Sequence, residues 1–340
     1  MCGSLFVSDN RSHARCCDAL HRRYPAERDR SSACHFRDRF NKGDGAAVAA
    51  HYVEDAAVLR SQHVTTEDDR LYVEVRGEGT PLLMIPGGGG DGGSYSAVAE
   101  RLSDEFKVIT YDRRANGRST MNHPDCFAIR QESRDAVAVL RVAGETQASV
   151  FGNSSGAVIA LDMAASQPQA VTAVIAHEPP LARLHPDSAK WQSFFQDVLQ
   201  GRRQFGRTVA MLRFTFGIGV DFTIMRAAAA IRTARRAQKS SPAPYLDRRK
   251  VIDHFLCQEM LPVVNYAPDL GALKTLRERI ALAAGETSLA RKRFYAEVAP
   301  ILARQIDCDM VVFPGHHASF IDMTDEWAAL LRRTLNSQRR

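Results

Sequence analysis

The sequence predicts an α/β protein, a mostly parallel twisted sheet with helices on both faces and a helical insertion. Two observations lead there. From Arg70 onward, short runs rich in apolar and β-branched residues alternate with segments of helical pattern, the order that builds parallel strands joined by crossover helices. Within residues 148–157 an apolar run passes through Gly152-Asn153-Ser154-Ser155-Gly156 directly into a helical segment, a strand, a sharp turn and a helix in succession.

Taken in order, residues 1–65 are Arg- and His-rich and irregular, and predict an N-terminal extension, helical or partly disordered. Residues 66–340 form the main domain. Strands are expected at 71–76, 82–85, 106–111, 148–151, 172–176, 279–284 and 310–313, several of them unbroken apolar runs, as befits strands covered on both faces. Helices are expected at 95–102, 131–142, 155–166 and 324–335. Residues 181–273 interrupt the alternation with Ala- and Arg-rich helical sequence, including a helix at 226–237 and a polar linker at 239–244. An insertion of that size between the sixth and seventh strands lies over the carboxyl ends of the sheet, where open α/β sheets bind ligands. It is expected to be a lid.

Composition narrows the class further. A chain of 340 residues with 45% hydrophobic and 25% charged residues can bury a full core and resembles ordinary water-soluble proteins. No apolar run approaches the roughly 18 residues of a membrane span, and residues 1–17 lack the apolar stretch of a secretory signal. The expected location is cytoplasmic. The seven cysteines are an odd number, and Cys2, Cys16, Cys17 and Cys34 precede the main domain without metal-site spacing, so free thiols and no metal are expected. The net charge of +6 is unevenly placed: residues 181–250 carry fourteen Lys and Arg against four Asp, a surplus of ten. That surplus reads as a solvated helical face or as an entrance attracting anionic substrates. No recognition motif surrounds these arginines, so nucleic acid is not an expected partner.

The chemistry centres on Ser154. Gly-x-Ser-x-Gly at a strand-to-helix junction exposes the serine oxygen on a strained turn, and glycines keep neighbouring side chains away. Directly after the strand at 82–85 comes Pro86-Gly87-Gly88-Gly89-Gly90-Asp91-Gly92-Gly93. Acyl transfer needs preorganised N–H donors for the developing oxyanion. Gly88, or failing it Gly89, is the candidate donor from this turn, with the N–H of Ser155 as the second. A phosphate-cradling role lacks its Gly-Lys-Ser or Gly-Lys-Thr ending.

Ile109-Thr110-Tyr111-Asp112-Arg113-Arg114-Ala115-Asn116-Gly117-Arg118-Ser119 resembles the Tyr-Asp-x-Arg-Gly-x-Gly-x-Ser segment after the fourth core strand of α/β-hydrolases. With the glycine-rich turn, the Ser154 junction and a late histidine, the resemblance runs from Arg70 to the C-terminus outside the insertion. Ala115 stands where the family usually has glycine. The resemblance implies an α/β-hydrolase fold and a serine, histidine and acid triad. Its histidine falls in Gly315-His316-His317-Ala318-Ser319-Phe320; the family's spacing of three residues to an aromatic favours His317 over His316. In many relatives the acid follows the seventh strand, but there this chain has Gly285-Glu286-Thr287-Ser288, with serine at the aspartate position. Some relatives, several haloalkane dehalogenases among them, instead use a glutamate after the sixth strand, where Glu178 stands. Glu178 is therefore the favoured acid and Glu286 the second choice. Asp112 is expected to order its loop, and His177, His254 and Cys257 either pack or line the pocket. Separately, Phe40-Asn41-Lys42-Gly43-Asp44 and Tyr52-Val53-Glu54-Asp55 resemble, over about 25 residues, the opening helices of folds related to nuclear transport factor 2.

These residues point to a serine hydrolase, carboxylesterase-like, that cleaves an ester, lactone or related acyl bond of a small molecule without a cofactor. Serine as nucleophile argues against the dehalogenase and epoxide-hydrolase branches, whose nucleophile is aspartate. Cofactor-free peroxidase and carbon–carbon bond hydrolase chemistry share the triad, and a non-catalytic binding homologue is the alternative class. Substrate identity and oligomeric state stay open at the level of sequence.

Overall fold

In the computed structural model, residues 60–220 and 244–338 are described. The helix expected at 226–237, residues 239–243 of the linker, the four early cysteines, the segment resembling nuclear transport factor 2 and residues 1–59 of the extension lie outside them.

Eight strands form one sheet: β1 (Arg60–Thr66), β2 (Asp69–Arg76), β3 (Thr80–Ile85), β4 (Phe106–Tyr111), β5 (Ala148–Asn153), β6 (Val171–His177), β7 (Ile280–Gly285) and β8 (Asp309–Phe313), in the order β1-β2-β4-β3-β5-β6-β7-β8. The β1/β2 and β2/β4 pairs are antiparallel and all others parallel. Strand β1 was not anticipated, and it takes residues 60–65 from the expected extension into the sheet. Its sequence, RSQHVTT, is polar and at most half-buried, because an edge strand with one open side lacks the apolar alternation that marks a buried one. Glu67 and Asp68, at φ 45° and 69°, make the two-residue turn into β2, the handedness tight hairpins require.

The main-domain helices are α1 (Ser96–Leu102), α2 (Ile129–Val142) and α3 (Ser155–Ser166). The described part of the insertion supplies α4 (Ser188–Ile218), kinked at Gly206, α5 (Arg248–His254), a π-helical turn (Phe255–Glu259), α6 (Met260–Val264) and α7 (Leu270–Thr275). The chain returns to the sheet through α8 (Glu286–Ala290), α9 (Phe294–Ile306) and α10 (Thr324–Ser337). Every residue of α3 from Ser155 to Ala164 is buried, which makes it a core helix and explains its lack of a polar face. It can approach so closely because Gly156 has no side chain: a Cβ there would lie 2.1 Å from the Ile85 carbonyl oxygen. Under the sheet's other face, Trp327 of α10 packs edge-on against Phe151 at 4.9 Å and beside Phe313 at 4.8 Å.

Two features position the site. Strands β4 and β5 lie on opposite sides of β3, so the strand order reverses there, and the loops after β3 and β5 face one crevice at their carboxyl ends. The insertion is anchored beside that crevice: Trp191 of α4 stacks on Phe294 of α9 at 4.5 Å, and the Leu246 N–H donates to the Gly117 carbonyl at 2.7 Å.

Candidate active site

Strand β5 ends at Asn153, and Ser154 turns the chain with φ 57° and ψ −123°. This left-handed backbone costs about 1 kcal/mol or more for a non-glycine residue. The strain is held by the surroundings: the Ser154 N–H donates to the His177 carbonyl at 3.0 Å, and its own carbonyl accepts from Ala157 N–H at 2.9 Å. Ser155 follows as the first residue of α3, so its N–H is one of the helix's unpaired donors.

Parallel register carries the next residue into place. Asn153 pairs with His177, and His177 with Ala283, so Ser154 and Glu178 each leave the sheet at the same level of adjacent strands. Glu178 also has left-handed φ, 51°, and its N–H donates to the Ala283 carbonyl at 2.8 Å. Its carboxylate has no exposure. Oε1 accepts the Gly285 N–H at 2.9 Å and Oε2 pairs with His317 Nδ1 at 2.5 Å. Burial alone would raise this carboxyl; the neighbouring His177, the His317 hydrogen bond and charge, and the Gly285 N–H outweigh burial and hold it below its usual range.

With Nδ1 donating to Glu178, the His317 ring presents Nε2 on the side away from the carboxylate. The Tyr295 ring covers the imidazole at 4.4 Å. The adjacent His316 bonds elsewhere: Nε2 meets Asp322 at 2.9 Å and Nδ1 accepts the Ala318 N–H at 3.2 Å. Glu286 is exposed in the first turn of α8, and Ser288, at the position of the usual aspartate, is buried.

The glycine-rich turn lies against the serine junction. A Cβ on Gly87 would sit 3.2 Å from Ser154 Cβ; one on Gly88 would sit 3.0 Å from Ser155 Oγ and 2.5 Å from the Phe255 ring. Gly89, at φ +61°, faces open space. Asp112 secures this turn from the β4 side: Oδ1 accepts the Gly92 N–H at 2.9 Å, and Oδ2 accepts the backbone and Nε of Arg118, both at 2.7 Å. Ala115 adopts φ 60°, the conformation for which glycine is the easier residue.

Of the remaining candidates, His177 and His254 take packing positions and Cys257 does not. His177 lies fully buried beneath the site with Nδ1 against Asn153 Oδ1 at 2.7 Å, and burial pushes its imidazole down to about 4, so it is neutral near pH 7. His254 Nδ1 pairs with the Pro124 carbonyl at 2.9 Å, and Cys257 is exposed as a free thiol. Sequence reasoning passed over Tyr295, which covers His317, and Arg113, which lies buried beside the glycine-rich turn. A doubled arginine in a buried-strand context was the one visible signal for the second; nothing local marked the first. Among the described residues no three His, Cys, Asp or Glu side chains converge to hold a metal ion, and no helix is long and apolar enough to cross a membrane.

Comparison with known proteins follows the same lines. Residues 80–322 match the family described as alpha/beta hydrolase fold. The chain is 30% identical over 277 residues to an uncharacterized hydrolase, YraK, of Bacillus subtilis, with 79% of this chain and 94% of that protein covered. Among solved structures it resembles a thermophilic esterase from Thermogutta terrifontis, with TM-score 0.62, 20% identity and coverage of 83% of this chain and 100% of the other. It also resembles an enol-lactonase from Burkholderia xenovorans, with TM-score 0.58, 15% identity and coverage of 81% and 100%. At these identities the two structures establish a shared fold.

Proposed function

Because the chain belongs to the α/β-hydrolase family and is a hydrolase by that membership, we propose that it cleaves an ester, lactone or related acyl bond through an acyl-enzyme on Ser154. The observation that carries this reading is the buried Glu178 carboxylate paired with His317 one strand from Ser154.

In the proposed reaction, Ser154 Oγ attacks the substrate carbonyl while its proton passes to His317 Nε2. Glu178 keeps the imidazole in the tautomer with Nδ1–H and stabilises the imidazolium that forms. The carbonyl electron pair moves onto oxygen, where the N–H groups of Gly88 and Ser155 receive it. As the oxyanion collapses, His317 gives its proton to the departing alcohol oxygen and Ser154 keeps the acyl group. Water then attacks the acyl-enzyme by the same route, releasing acid and restoring the serine. Residues 181–273 act as a lid in this scheme. Glu178 also supplies a charged partner to the histidine, which supports catalysis over the reading of a pocket that has lost its chemistry.

Fluorophosphonate labelling tests the proposal, because it needs an activated serine and no knowledge of the substrate. The folded native chain is expected to label at Ser154 and the Ser154→Ala protein to stay unlabelled. A folded native protein that does not react at Ser154 refutes the reading. Screening esters of graded acyl length and lactones, with Ser154→Ala as control, then assigns the bond class; the esterase and enol-lactonase sharing this fold make those bonds the first to try.

A further inference from the structure

Arg113 has no exposure to solvent, and a guanidinium taken out of water is costly unless partners surround it. Its neighbour Arg114 turns toward Asp69 and Asp135, securing the β2 and α2 side of the loop. Arg113 turns toward the site. Nη1 lies 3.4 Å from Glu132 of α2, and Nη2 donates to Glu259 of the insertion at 2.6 Å. The same Nη2 donates to the carbonyl oxygen of Gly87 at 3.1 Å.

That last contact reaches the proposed oxyanion donor. The Gly87 carbonyl and the Gly88 N–H belong to one planar trans peptide unit, so they point in opposite directions. Drawing the oxygen toward Arg113 fixes the N–H to the other edge of the plane. A peptide between two glycines has little of its own to hold it; the other donor to this oxygen is the Gly90 N–H, at 3.4 Å. Glu259 comes from the π-helical turn Phe255–Glu259, and Phe255 at the start of that turn packs its ring against Gly88. One turn of the insertion thus bears on this peptide twice, through a ring at Gly88 and through a carboxylate on the arginine that grips Gly87.

We propose that Arg113 is a positioning residue that locks the Gly87–Gly88 peptide with its N–H toward the oxyanion, and that Glu259 sets Arg113, so that seating of the insertion completes the oxyanion hole. The proposal rests on Gly88 as the donor of the serine-hydrolase reading. It assigns a direct route by which the segment over the crevice governs bond cleavage and not only substrate entry.

Saturation kinetics of fluorophosphonate labelling separate the possibilities, since phosphonylation also builds charge on an oxygen facing the hole. The double variant Arg113→Met with Glu259→Met removes both members of that buried pair, and Glu132, which then loses its cationic neighbour, is already pushed up to about 7 by burial and can hold a proton instead, which favours a folded protein. It is expected to lower the maximal labelling rate about 10- to 100-fold, with the half-saturating probe concentration within about threefold of native, the signature of a lost transition-state donor. Glu259→Gln, which keeps Arg113, is expected to lower the rate about three- to tenfold. Circular dichroism melting establishes that each variant is folded. A native maximal rate in the folded double variant, or a loss confined to half-saturation, overturns the proposal; a native rate in Glu259→Gln overturns the link to the insertion. Failure of the nucleophile reading looks different, because the native chain then does not label at all.

Discussion

At the scale of single residues, two of the non-glycine residues with positive φ stand at the proposed site. Ser154 and Glu178 both hold left-handed φ, at 57° and 51°, and both are followed by a fixed reason for it: one lifts an oxygen out of the sheet, the other turns a carboxylate back beneath His317. Glu178→Gln keeps the shape and one acceptor but removes the charge that stabilises an imidazolium. It is expected to reduce kcat/KM by about 10²–10⁴-fold, whereas exposed Glu286→Gln stays within about threefold of native. Steady-state kinetics of the two variants decide it; comparable activity in both rejects the assignment. Motifs made Ser154 and the histidine pair visible in the sequence. Arg113 was hidden, because its meaning lies in a carbonyl 26 positions away and a carboxylate 146 positions away.

At the scale of elements, the insertion is the part least legible from sequence and the one that carries the basic surplus. Some of that charge is already neutralised: Arg202 and Arg207 share Asp253, and Arg213 pairs with Asp197. The surplus counted in the sequence supports a proposal that the entrance draws anionic substrates. Between about 50 and 500 mM salt, where the screening length shrinks from about 14 to about 4 Å, kcat/KM for an anionic ester is expected to fall about three- to tenfold. That of a matched neutral ester should hold. Equal salt dependence of the two removes the steering idea. Strand β1 shows the same limit in another way: a polar edge strand follows no core pattern, so pairing with β2 alone reveals it.

At the scale of the whole molecule, two buried groups tie stability to pH in opposite senses. The His177 imidazole is pushed by burial from 6.5 down to about 4. Between those values the unfolded chain binds the extra proton, so this group makes stability rise with pH across that window, by about 3 kcal/mol in all. Glu132 is pushed up from 4.5 to about 7 by burial, opposed by Arg113 and reinforced by Asp135 and Glu259. Here the folded chain holds the extra proton between about 4.5 and 7, so stability falls as pH rises, again by about 3 kcal/mol. The two slopes offset one another in the native chain. Urea unfolding at several pH values is expected to show Glu132→Gln gaining on the native chain as pH rises from about 4.5 to 7, and His177→Asn gaining as pH falls from about 6.5 to 4. A variant whose difference from native is independent of pH shows that its group does not titrate differently on folding.

The sequence by itself determined the alternation of strands and helices, the sharp turn at Ser154, the glycine-rich turn after β3 and a histidine pair in the last loop. Each of these is written in neighbouring residues, through apolar periodicity, the steric freedom of glycine and the chemistry of a short motif. Only the tertiary structure decided which carboxylate meets His317, 139 positions away, which histidine of the pair meets it, and what Arg113 grips. Those meetings follow from strand order and register, Asn153 beside His177 and His177 beside Ala283. Register is set by the hydrogen bonding and packing of the whole sheet, and no run of neighbouring residues contains it.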